Sequence, residues 1–299
     1  MHLGKWVTGR TGTKRICSLV DELDHKHAKH ISSLLRIEYD NYQPWMSCTN
    51  QIEYFSKTWP ITQNQILIEP CALSVIANGL KKDEAPLGNL GMPETDGFEI
   101  DLYPNIDFQN NIDKALQLIF AASTNLQNRW EKLIQLIVPI KHRTATPTTI
   151  GRGLSNHMFR KSIFVELPCD SPKKDLQTAL NLVHELGHQA LITYQNADLI
   201  VESNHDYPVH SVIRNTKRPI IRSYHAFFVS GYMLEFLIEA QKLKLPEHLN
   251  SQIKEELVKH RKIIFLATSE LKNAPVKFTQ LGIDIINEFE SLATAEAIQ

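Results

Sequence analysis

Apolar residues recur at three- and four-residue intervals through long stretches of this chain, and the pattern predicts a largely helical protein. From Ile112 to Val138, the residues Ala115, Leu116, Leu118, Ile119, Ala122, Leu126, Trp130, Leu133, Ile134 and Ile137 keep that period, which predicts one long helix or two in succession. Asp21 to Arg36 predicts another helix. Its His25, His27 and His30 alternate with Lys26 and Lys29 and read as a solvated face, because positions two apart on a helix do not face each other. Ser223 to Leu243, Asn250 to Leu271 and Pro275 to Ala295 carry three more helical patterns. Ser162 to Pro168 predicts a short strand ended by proline. Tyr39 to Pro104 is mixed and broken by prolines; within it Lys81 to Gly97, and later Lys141 to Gly153, read as loops. The expected fold class is mostly α with a small β-sheet. A boundary near residues 140–150 would separate a mixed, mostly helical region 1–150 from a helical region 151–299, unless the two form one continuous domain.

Composition narrows the partners. Of 299 residues, 42% are hydrophobic and 22% charged, which is ordinary for a globular chain. The net charge of -1, from 32 basic and 33 acidic residues, gives no global field toward nucleic acid or an anionic membrane, so neither is an expected partner. Cys17, Cys48, Cys71 and Cys169 are far apart, with no C-x-x-C pair, and read as reduced thiols. The first residues lack the apolar core of a signal peptide, and no stretch is apolar for the roughly 18 residues a membrane helix needs. The expected location is cytoplasmic.

The chemistry concentrates in Asn181-Leu-Val-His-Glu-Leu-Gly-His-Gln189. Pro168 to Lys174 supplies helix-start residues, with Ser171 as N-cap and Pro172 in the first helical position. On the helix that follows, Leu176, Leu180, Val183, His184, Gly187, His188 and Leu191 share one stripe. Imidazoles at i and i+4 lie one turn apart and can converge on one metal ion, which is the physical reason for the H-E-x-x-H spacing of zincin-like sites; Glu185 projects beside them. The metzincin extension would need Gly at Leu191 and His at Tyr194, so it is excluded. A gluzincin would take a downstream Glu, and Glu202 with Asp206 is the available pattern, although its flanks read as a loop.

Beyond the motif, Tyr207 to Phe228 contains Arg214, then Arg218-Pro219, then His225-Ala226 opening an apolar helix. An H-E-x-x-H helix followed by these elements resembles the HEXXH-motif peptide-modification proteins of bacterial peptide natural-product pathways, which are iron- and 2-oxoglutarate-dependent peptide β-hydroxylases. The likeness spans Ser155 to Leu243. One position departs: Arg222 stands where the family commonly has Gly. The resemblance implies His184, His188 and His225 as metal ligands, with Arg214 and Arg218 binding 2-oxoglutarate. It implies Fe(II) and 2-oxoglutarate as cofactors, and a precursor peptide or carrier-presented amino acid as partner, hydroxylated at a β-carbon.

The residue types suit that chemistry. An iron oxygenase needs about three protein ligands and open positions for a 2-oxo acid and dioxygen, and a guanidinium is the preferred partner of the distal carboxylate. His225 shares a helix side with Phe228, Tyr232 and Phe236; His205, His210 and His157 stand in reserve. Two other functions stay open. A zinc metallopeptidase would use His184, His188 and Glu202, with Glu185 as general base. A non-catalytic peptide-binding protein would keep the helices without turnover.

Overall fold

The computed structural model describes residues 6–35, 65–66, 98–105, 107–142, 151–155, 161–169, 171–212 and 215–295, without the side chains of 27–35 and 65–66. Among them are seven helices: α1 (Gly9–Leu35), α2 (Phe108–Ala122), α3 (Thr124–Leu133), α4 (Lys174–Ala197), α5 (Ile220–Ala240), α6 (Glu247–Asn273) and α7 (Gln280–Thr294). The strands are β1 (Gln65–Ile66), β2 (Phe98–Ile100), β3 (Leu136–His142), β4 (Arg152–Ser155), β5 (Ser162–Glu166), β6 (Pro208–Ser211) and β7 (Thr216–Pro219). The architecture is mostly helical with a small mixed sheet.

That sheet runs β1-β3-β5-β4, with β2 also on β3. β3 is parallel to β1 and β5, whereas β2 and β4 pair antiparallel. Leu136 to Ile140 and all of β5 are buried, as strands covered on both faces must be. Seven residues separate the end of β5 from the start of α4.

Helices α4 and α5 are the spine. Both are buried around most of their circumference: α5 is apolar on nearly every side, a pattern only a surrounded helix satisfies, whereas α4 also buries polar residues such as Gln177, Glu185 and Gln189. α4 also touches α1, α2, α3, β4 and β5, and α5 packs on α6 and α7. One core holds Ile16 and Trp130 together with Leu180, Phe228 and Phe289, so apolar packing is continuous across residues 140–150. None of the described helices is long and apolar enough to cross a membrane.

Several elements differ from the sequence pattern. The 112–138 stretch is two helices and then a strand. Ser123 is extended (φ -154°, ψ 117°) and its Oγ accepts from Leu126 N–H, which ends α2 and starts α3 on a new axis. Ile137 and Val138, apolar at helical spacing, belong to β3 because that segment pairs on both sides. Within the stretch read as the loop Lys141 to Gly153, residues 141–142 extend β3 and 152–153 open β4. α4 begins at Lys174, not Pro172; Lys174 N–H bonds to Ser171 carbonyl in a preceding turn, and Ser171 Oγ caps nothing. The hairpin β6–β7, turning near Asn215 at φ 50°, carries no strong alternation and escaped the sequence reading. The expected loop Lys81 to Gly97 lies outside the described residues. Cys17 and Cys169 are unbridged.

Candidate metal centre

His184 and His188 project from one face of α4 as the i,i+4 spacing demands, with Nε2 atoms 3.1 Å apart and ring centroids 4.8 Å apart. Two nitrogens about 2.1 Å from one ion, at the roughly 90–110° angles of common geometries, sit about 3.0–3.4 Å from each other. The pair therefore fits two positions of one coordination shell. His225, in the second turn of α5, brings its ring centroid to 5.8 Å from that of His188. A Gly in the motif permits this approach: a Cβ on Gly187 would lie 3.1 Å from Val229 Cα, so α4 and α5 meet almost backbone to backbone there. As they stand, no three His, Cys, Asp or Glu side chains among the described residues are gathered closely enough to hold a metal.

All three histidines are half-buried. Burial, reinforced by His184 and His225, holds the His188 pKa well below the ordinary histidine range. Burial alone brings His225 to about 4. Both rings are thus neutral at physiological pH, the state in which imidazole has a lone pair to donate.

Glu185 turns the other way. It is 1% exposed, it bonds through Oε2 with Ser155 Oγ of β4 at 2.6 Å, and its Oε1 is 3.9 Å from His184 Nε2. Burial pushes its pKa up to about 8, against the opposing pull of the Ser155 bond. The edge strand reaches it through glycines: a Cβ on Gly153 would stand 2.2 Å from Glu185 Oε1, and one on Gly151, at φ +65°, 2.7 Å from Asn181 Nδ2. β4 therefore lies on the motif helix, and Glu185 is the buried peg between them.

The remaining sequence candidates separate. Glu202 is exposed, forms an ion pair with Lys277 and donates its N–H to Lys277 carbonyl. His205 and His210 are exposed. Arg218, half-buried in β7, pairs with buried Val209 across the hairpin. Directly opposed residues share a face, so Arg218 stands on the protein side. Arg222 lies three residues before His225 on α5, on the same helix side. Arg214 and His157 lie outside the described residues.

Two residues that the motif reading passed over belong to this site. Ser155 is the partner of Glu185, and Gln195 approaches His225, Nε2 to Nε2 at 3.1 Å. Gln195 had a legible signal: it follows His188 by seven residues, two helical turns, and so lies on the same stripe as both motif histidines. Ser155 had none, because only the β4–α4 packing brings it there.

Compared with known proteins, the chain matches no protein-family model and no curated sequence.

Proposed function

We propose that this protein is a metal-dependent enzyme working at His184, His188 and His225, and that its chemistry is that of an iron- and 2-oxoglutarate-dependent hydroxylase. The observation that carries the reading is the choice of third ligand: His225 stands beside His188, while Glu202 is engaged by Lys277. Three half-buried imidazoles, with His188 and His225 held neutral by burial, suit Fe(II). With a 2-oxo acid and dioxygen, the bound metal would supply the oxidising power to hydroxylate an unactivated carbon.

The chain's own residues would do the rest. Arg218, on the inner face of the hairpin, offers a planar pair of donors for the distal carboxylate of 2-oxoglutarate. Glu185, sealed against Ser155, fixes the helix to the sheet and holds the His184 side of the site in place. The substrate, a precursor peptide or carrier-presented amino acid hydroxylated at a β-carbon, rests on the resemblance of Ser155 to Leu243.

One observation favours a zinc peptidase instead. An H-E-x-x-H helix packed against an antiparallel edge strand would also suit a zinc peptidase. That chemistry needs Glu185 open to a metal-bound water, and its burial speaks against it.

Anaerobic loading with Fe(II) followed by 2-oxoglutarate and air tests the reading. Succinate should form in step with 2-oxoglutarate loss, slowly without peptide. Peptide cleavage by the zinc-loaded chain, with no 2-oxoglutarate consumed by the iron-loaded one, would replace it with the peptidase. Peptide binding without either turnover would leave a scaffold.

A further inference from the structure

Helix α6 keeps its core contacts on one face and carries a second apolar ridge on the other. Ile253, Leu257, Ile264, Ala267 and Leu271 are buried and belong to the common core. Val258, Phe265 and Leu266 point outward instead, with 69%, 63% and 38% of their surface exposed. Val258 and Phe265 are seven residues apart, two helical turns, so they stand in line along the outer face, and Leu266 adjoins Phe265. Among the described residues the other exposed large apolar side chains, Tyr103, Leu199 and Ile283, fall one to a segment. Such concentration on one helix face marks an interaction site where scattered apolar residues do not.

Lysines accompany the ridge. Lys254 lies one turn before Val258, Lys262 one turn after it, and Lys272 two turns beyond Phe265, all three exposed. Lys254 and Lys262 make no ion pair among the described residues, whereas Lys272 is paired with Glu290, and Glu255 on the same face with Lys173. Lys262 sits on the midline of the ridge, between Val258 and Phe265. A bilayer that accepted those two side chains would have to take this ammonium with them. A second copy of the same face would oppose lysine to lysine. A partner with carboxylates beside its own apolar residues meets both parts of the surface.

We propose that the outer face of α6 is a docking surface for an acidic amphipathic helix of a partner protein. Val258, Phe265 and Leu266 pack between the partner's apolar side chains, and Lys254, Lys262 and Lys272 face its carboxylates. From Lys254 to Lys272 the surface is about 27 Å long at 1.5 Å per residue, room for about five turns of a partner helix. The whole chain is close to neutral, so the attraction comes from this local arrangement and sets which partner is accepted. Nothing in it depends on the metal site.

Fluorescence anisotropy tests this on the intact chain, with a labelled peptide of about three heptads that has Leu at the a and d positions and Glu at e and g. The Glu peptide should bind, more weakly as salt rises, and the same peptide with Lys in place of Glu should not. Phe265→Ser should weaken binding by about tenfold. Lys262→Glu should weaken the Glu peptide by a similar factor of about ten and admit the Lys peptide, a reversal that lost packing alone would not give. Both side chains are exposed, so both variants should melt with the wild type. No binding of the Glu peptide, equal binding of the two peptides, or binding indifferent to both substitutions would each overturn the proposal. Where the Glu peptide fails, binding to phosphatidylserine vesicles lost in Phe265→Ser would assign the face to a membrane. A concentration-dependent dimer lost in that variant would assign it to a second copy.

Discussion

Arg129 Nη2 donates to Glu235 Oε1 at 2.5 Å, with 0% and 6% of the two side chains exposed. The guanidinium also donates from Nη1 to Val7 carbonyl and from Nε to Asn125 carbonyl, and it lies 4.9 Å from the centroid of the Tyr232 ring. Glu235 Oε1 in turn accepts from Gly9 N–H, at the start of α1. Burial alone would lower the Arg129 pKa; the charge and hydrogen bond of Glu235 more than reverse this and hold it above its ordinary value. The pair ties the N-terminal helices to α5, the helix that carries His225.

Removing one partner of such a pair strands a buried charge, so Arg129→Met should destabilise the fold by about 3–5 kcal/mol. The double variant Arg129→Met with Glu235→Leu should recover much of that loss, since an apolar pair needs no charge compensation. Urea unfolding of the three variants measures it. A single variant no less stable than the double would show that the ion pair does not hold this junction.

Gly187→Ala should act on both stability and metal binding. The new methyl would meet Val229 Cα at 3.1 Å and the Val229 side chain at 3.2 Å, and overpacking of this order costs about 1–3 kcal/mol. To relieve it α4 and α5 must separate, which carries His188 away from His225. Metal affinity measured by titration should fall in the folded variant. An unchanged affinity would mean that His225 is not drawn into the site through this contact.

Legibility in the sequence followed the range of the cause. The α4 stripe and the pairing of His184 with His188 follow from helical spacing alone, and β5 from a short apolar run ended by Pro168. The ends of elements depended on partners: Ile137 and Val138 keep a helical interval yet become β3 because β1 and β5 pair with them. Arg129 looks like any solvated helix arginine until Glu235 faces it across 106 residues. The burial of Glu185 is of the same kind, since Ser155 and Gly153 reach it only through the sheet.

Acid should weaken the fold through His260 in α6. It is buried, its Nδ1 has no hydrogen-bond partner, and burial, helped by Lys259, lowers its pKa to about 4. Glu256 Oε2 at 3.8 Å from Nε2 favours the charged ring, but burial outweighs it. The unfolded chain takes up this proton near pH 6.5 and the folded chain only near 4. Stability is therefore complete above about 6.5 and falls as pH drops toward 4, by an amount on the order of 3 kcal/mol. His260→Leu in the metal-free chain should flatten the curve of unfolding free energy against pH in this window. A curve of unchanged slope would place the acid sensitivity elsewhere.

Arg218→Ala should weaken 2-oxoglutarate binding and spare the metal. Arg218 is paired across the hairpin with Val209, and the burial of Val209 sets which side of the hairpin faces the core. Arg218 is therefore half-buried, with its side chain leaving the strand from the inner face, where a carboxylate bond would be screened less than at the surface. Losing one partner of a buried charge-assisted pair costs roughly 2–5 kcal/mol of affinity. The concentration of 2-oxoglutarate giving half-maximal succinate formation should rise accordingly, while Co(II) titrates as in the wild type. Arg222 is the competing guanidinium, because it sits one turn before His225 on the same side of α5. If Arg222→Ala abolishes the 2-oxoglutarate dependence and Arg218→Ala leaves it intact, the co-substrate is held from the helix and not from the hairpin. That outcome would also give the departure at Arg222 a function, since the side chain standing where the similar family commonly has Gly would be the one that grips the carboxylate.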